Sequence, residues 1–158
     1  MDEPRWLDER EDRAWRGYRR MRRLLDLHLA RDLMHDAGLS EPDYDVLSDL
    51  SETPGQRLRV RELADRMLWS RSRLSHHLTR MQQRGLVTRE ECPTDARGAI
   101  VVLTPQGRRA IEAAAPGHVA AVRRHLIDLL GPDEIAALAA FSHRVVENLS
   151  DAERSPPR

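Results

Sequence analysis

A chain of 158 residues with a 40% apolar share has room for one domain and one small core, completed by a partner chain. Its 26 basic and 26 acidic residues cancel, so net charge favours neither nucleic acid nor membrane, and a single cysteine excludes an internal disulfide framework. With no signal peptide in view and no apolar run approaching ~18 residues, a soluble, cytoplasmic protein without membrane contact is expected.

From about Trp6 to Ala37, Trp15, Tyr18, Met21, Leu25, Leu29 and Leu33 keep a helical period through a segment dense in Arg, Asp and Glu. That is a long amphipathic helix, with room for one break, ended by Gly38. Ser40 and Asp43 form a capping-box pattern that opens a second helix carrying Tyr44, Val46, Leu47 and Leu50, and Pro54-Gly55 ends it. Leu58 and Val60 suggest a short strand, followed by a weakly capped helix from Glu62 to Leu68. Trp69-Ser70 is then a tight turn into the next helix, giving the spacing of a helix-turn-helix.

Ser70 is placed to cap that helix, since its hydroxyl can accept one of the first turn's unpaired N–H groups. Leu74, Leu78 and Met81 make a narrow apolar stripe. The other faces carry Arg71, Ser72, Arg73, Ser75, His76, His77, Thr79 and Arg80. Gly85 supplies a left-handed stop, with Leu86 folding back beyond it. Val87 to Glu91 and Ala99 to Leu103 read as two strands joined by a loop, Cys92 to Gly98, with Arg97 at its tip. Thr104-Pro105 is the N-cap and first residue of another helix.

Beyond it, Ile111, Ala114, Val119, Val122, Leu126, Leu129 and Leu130 mark about 25 helical residues, interrupted or bent at Pro116-Gly117. After the stop and restart at Gly131-Pro132-Asp133, a last helix holds Ile135, Leu138, Phe141, Val145, Val146 and Leu149. The expected fold is mainly α with a small β-wing. Residues 1–37 and 110–150 are read as dimerisation helices, 38–109 as a winged helix-turn-helix DNA-binding domain (recognition helix 70–84, wing 87–103), and 151–158 as a disordered tail.

Three pieces of this reading resemble the MarR (multiple antibiotic resistance regulator) family. Asp95-Ala96-Arg97, five residues, then Leu103-Thr104 and Gly107 is similar to its wing pattern D-x-R-x5-L-T-x-x-G. Leu63-Ala64 with Ser70 to Arg80, and Arg84-Gly85-Leu86-Val87, are similar to its helix-turn-helix, and the likeness runs from about Trp6 to Leu149. The resemblance implies a homodimeric, ligand-responsive winged-helix regulator, usually a repressor. Members often carry Arg where His76 stands. A subset responding to urate or related acids uses an acidic residue in the second helix and arginines in the recognition helix and first wing strand. Asp45 and Arg89 match two of those positions, and His77 replaces the third.

The charge distribution points the same way. From Arg57 to Arg97 ten arginines face five acidic residues, a basic block in an acidic frame. Lysine is absent, which a GC-rich genome explains as readily as phosphate contact does. With the helix in a major groove, Ser72, Arg73, Ser75 and His76 are the expected base-edge residues. Ser70, Arg71, Thr79, Arg80 and Arg84 are expected on phosphate. In the wing, Arg97 is expected in the minor groove, with Asp95 orienting the loop. The expected partners are near-palindromic double-stranded DNA, a second copy of the chain and a small-molecule effector.

Trp15, Tyr18, His28, Tyr44, Asp45, Trp69 and Arg89 are read either as an effector pocket or, for the aromatics, as core. Cys92 is read as a redox trigger if exposed, otherwise as a passive turn residue. Seven histidines show no tight ligand spacing, and no Gly-rich phosphate loop or nucleophile-base pair is recognisable, so neither enzyme, metal nor cofactor is expected. The alternatives to a DNA-binding repressor are a winged-helix module that docks an acidic protein partner and a redox-responsive regulator acting through Cys92.

Overall fold

A computed structural model describes residues 4–154, without the side chains of 95–97 and 152–154. Helix α1 (Glu9–Ala37) is unbroken and starts on an Asp8/Glu11 capping box, so Trp6 and Leu7 precede it. Gly38, left-handed at φ 65°, closes it and returns its N–H to the Met34 carbonyl. Ser40 and Asp43 form the expected capping box of α2 (Glu41–Glu52). The following strand and helix come earlier than the sequence suggests. Strand β1 is Arg57–Arg59 and α3 is Val60–Arg66, so Val60 opens the helix instead of closing the strand. Helix α3 ends early because Leu68 takes a left-handed φ of 54°, and the Trp69 N–H turns back to the Ala64 carbonyl.

Helix α4 (Arg71–Gln83), the expected recognition helix, is capped by Ser70, whose hydroxyl accepts the Arg73 N–H at 3.2 Å. Left-handed Gly85 stands just past its end. Strands β2 (Val87–Cys92) and β3 (Asp95–Leu103) are longer than expected, which shrinks the loop to a turn at Pro93-Thr94. Arg97 is therefore a β3 residue, beyond the turn instead of at its tip. The three strands pair antiparallel in the order β1-β3-β2. A register shift sets Glu91 opposite Ala99 and Cys92 opposite Asp95, so residues 96–98 have no counterpart on β2.

The core is one cluster in which Val46, Leu47 and Leu50 of α2 and Leu63 of α3 meet Leu74, Leu78 and Met81 of α4 and Val87 and Val101 of the sheet. Leu33 of α1 and Ile111 of α5 join it. Helix α5 (Pro105–His125) runs through Pro116 as a single helix. The chain divides into two compact units, one up to Ala120 and one from Ala121. The second holds the end of α5, a 3₁₀ turn at Ile127–Leu129 and α6 (Pro132–Arg154). Helix α6 carries on past 150 to Arg154, four residues into the stretch expected to be disordered; 155–158 lie outside the described residues. Large apolar side chains stay uncovered on both units: Trp15, Met21 and Leu24 on α1, and Phe141, Val146 and Leu149 on α6.

Candidate nucleic-acid interface

The wing motif has a structural reason visible in its second half. The Thr104 hydroxyl accepts the Gly107 N–H at 2.9 Å, capping α5, and reaches back to the Gly85 carbonyl at 2.6 Å. A side chain at Gly107 would put its Cβ 2.1 Å from the Leu86 carbonyl oxygen. Glycine thus lets α5 press against the residue that leaves the recognition helix. The side chains of Asp95 and Arg97, in its first half, lie outside the described residues.

Three devices hold α4. The first spans the hairpin: the Arg89 guanidinium on β2 donates to the Ser75 carbonyl and, at 2.9 Å, to the Thr79 hydroxyl. The second is Trp69 in the helix-turn-helix turn, with the Arg73 guanidinium 3.6 Å from its ring centre and the His77 ring edge-on at 5.6 Å. The third is buried. Asp43, only 3% exposed, accepts the Ser40 N–H at 3.0 Å and the Arg84 guanidinium at 2.7 Å. His77 Nε2 lies 3.1 Å from its other oxygen, at ion-pair distance but without hydrogen-bond alignment. Arg80 in turn donates to His77 Nδ1 at 3.2 Å. Burial by itself would raise the Asp43 pKa, but the His77 ring, the Arg84 guanidinium and the Ser40 N–H together hold it well below the usual carboxylate range. Because Arg84 also donates to the Gly38 carbonyl at 3.0 Å, the node ties the end of α1 and the start of α2 to both turns of the recognition helix's C-terminal half.

Several residues expected to touch DNA are therefore occupied within the protein. Arg84 is engaged with Asp43 and Gly38, the Ser70 hydroxyl serves as the cap, and the Thr79 hydroxyl receives Arg89, whereas Ser75 gives Arg89 only its backbone carbonyl. His77 lies inside, not on the polar face. Arg71, Ser72, Arg73, His76 and Arg80 stand exposed on α4.

The residues expected to form an effector pocket hold separate local contacts. Trp15 and Tyr18 stack on each other on α1, the Tyr44 ring packs tilted against His118 at 4.3 Å, Trp69 lies under Arg73, and Arg89 is bonded to α4. His28 is exposed. Cys92, considered as an exposed thiol, is buried, with its sulfur 3.4 Å from the Thr94 hydroxyl.

One feature escaped the sequence reading. An open cleft of about 440 Å³ lies between α4, the junction of β1 with α3 and the part of the hairpin near its turn, lined by Arg59 and Arg61 as well as Arg71, Ser75 and Gly98. The signal available for it is the R-x-R-x-R run at Arg57, Arg59 and Arg61.

The model of the MarR family matches residues 37–98, from the end of α1 to the wing. Among curated proteins, the transcriptional regulator HosA of Escherichia coli O111:H- is 32% identical over 101 residues, 64% of this chain and 73% of that protein. AbsC, a MarR family transcriptional regulator from Streptomyces coelicolor, is 42% identical with a TM-score of 0.89, over 94% of this chain and 99% of its own. Sco3205, another such regulator from Streptomyces coelicolor and solved in complex with DNA, is 43% identical with a TM-score of 0.90, over 94% of this chain and 93% of its own. No helix among the described residues is long and apolar enough to cross a membrane. A capped recognition helix, its hairpin and relatives that are regulators instead of enzymes lead to one conclusion: this chain belongs to the MarR family of winged helix-turn-helix transcriptional regulators.

Proposed function

We propose that the protein is a dimeric, sequence-specific DNA-binding repressor that a small-molecule effector releases from its operator. The observation that carries this reading is the exposed end of α4, where Arg71, Ser72, Arg73 and His76 project from a helix fixed by the Arg89 and Asp43 contacts. A preorganised helix of this kind suits the major groove, with Arg73 able to pair bidentately with guanine and Ser72 and His76 beside it. The DNA complex of Sco3205, at 43% identity, supports the same use of the fold. In the wing, Arg97 is assigned to the minor groove and Asp95 to the shape of the loop.

The dimer is argued from surface. Trp15 is 49% exposed, Phe141 45% and Leu149 57%, and bare apolar area of that kind on two helices calls for a cover. A second copy supplies it, and stable homodimers bury roughly 2,000 Å² or more. Two copies then present two recognition helices to half-sites about one duplex turn apart. Release requires an effector that binds better to a spacing of those helices that does not fit DNA, since equal affinity for both shifts nothing.

Selection of bound duplexes from random sequence, with light scattering on the same preparation, tests the reading. The expected result is one near-palindrome bound by two chains, with affinity lost in an Arg73→Ala, His76→Ala double variant. A monomer with no sequence preference would refute it and favour the protein-docking alternative.

A further inference from the structure

We propose that the cleft between α4 and the hairpin is a phosphodiester seat, with Arg61 and Arg71 as its anion-binding pair, holding the DNA strand that separates the two grooves. The inference rests on the DNA-binding reading above. If α4 occupies a major groove and the hairpin the adjoining minor groove, one sugar-phosphate strand must pass between them. The cleft is where it passes.

The arginines of the basic block sort themselves by what they already hold. Arg57 pairs with Glu90 at 2.5 Å, Arg66 with Glu62 at 2.8 Å, and Arg84 with Asp43 at 2.7 Å. Arg80 and Arg89 serve His77 and α4, and Arg73 rests on Trp69. Arg59 gives one donor to the Thr94 hydroxyl at 3.0 Å, which fastens the turn of the hairpin to β1. Arg61 and Arg71 have no hydrogen-bonded or ionic partner among the described residues, and both line the cleft. Two unneutralised guanidinium groups from different elements, in one open trough, offer a site for a diffuse negative charge. Gly98, at the edge of the trough, lies in the stretch of β3 without a ladder partner on β2 and adds no side chain to obstruct a backbone.

A phosphate contact is sequence-blind, so its loss weakens all duplexes alike and lowers the slope of log affinity against log salt by about one per phosphate. The test measures fluorescence anisotropy of the full-length protein on its selected operator and on a scrambled duplex, from low to moderate salt. Arg61→Ala and Arg71→Ala are expected to weaken both duplexes by similar factors, about tenfold at low salt, and to reduce the slope by about one each. Arg61→Lys should keep the slope, because the charge remains. In a scan with single methylphosphonates, one neutralised position per half-site should weaken wild-type binding and leave Arg61→Ala unaffected. Wild-type binding with unchanged slopes in both alanine variants overturns the seat while the DNA-binding reading survives. Failure of the wild type to bind any duplex overturns both. Saturable binding of inorganic phosphate by calorimetry, with the DNA slopes unchanged, gives the cleft to a free anion and also overturns the proposal.

Discussion

Replacing Asp43 should cost more than its position in a helical first turn suggests. Asp43→Ala removes a reciprocal N-cap contact with Ser40, worth about 1 kcal/mol. It removes a charged hydrogen bond to Arg84, which at 44% side-chain exposure regains water and so is discounted to roughly 1 kcal/mol. It also leaves the His77 ring, 6% exposed, beside an empty place in the core, at a further cost of about 1–2 kcal/mol. Members of one network do not add fully, so the expected loss is about 3 kcal/mol. Asp43→Asn keeps an acceptor for the Ser40 N–H and should lose about half as much. The assay is urea unfolding at fixed protein concentration, because association would contribute to apparent stability. Since the Asp43 pKa is depressed in the folded state, its contribution is complete above the unfolded value of about 3.9 and fades as the pH falls below it. The wild type should therefore lose stability on acidification in that window more steeply than Asp43→Asn. A loss under about 1 kcal/mol for Asp43→Ala at an unchanged m-value, or parallel acid profiles, would refute the reasoning.

Gly107→Ala forces a Cβ to within 2.1 Å of the Leu86 carbonyl and 2.9 Å of Leu103 Cδ1, and should destabilise by about 3 kcal/mol in the same assay; a neutral result means α5 does not press there. Leu68 is 81% exposed and left-handed, so Leu68→Asn should raise stability by about 1 kcal/mol, and a lower melting temperature would contradict the strain. Buried Cys92 should resist a thiol reagent in native buffer and react fully in urea; stoichiometric native labelling would restore the redox reading. Arg89→Lys keeps the charge but lacks the planar guanidinium that brings Nη2 to both the Ser75 carbonyl and the Thr79 hydroxyl, so operator affinity should fall several-fold with the melting point nearly unchanged, and unaltered affinity would remove Arg89 from the positioning of α4.

Local chemistry was legible wherever a signal and its consequence lie within one helical turn. Ser40 and Asp43, Ser70 and the Arg73 N–H, and Gly38 and Gly85 announce their helix ends because cap and capped group are at most a few residues apart. The sequence misplaced what depends on pairing. The turn residues Pro93, Asp95 and Gly98 predict a loop holding Arg97, yet the pairing of Cys92 with Asp95 across a register shift carries β3 back to Asp95. His77 reads as polar surface because it is an ionisable residue next to the exposed His76. Its burial is decided by Asp43, 34 residues earlier, which accepts it into the core.

Periodicity and caps in this chain thus determine where the helices run and which stripe of α4 turns inward. Which arginines remain available to DNA is a different kind of fact. Arg84, Arg89 and Arg61 are the same residue type in one basic block, and only the folded chain gives the first two partners 41 and 14 residues away while leaving the third unpaired. Side-chain charge is carried by composition, but its neutralisation depends on distance in space, and distance is set by how the elements pack.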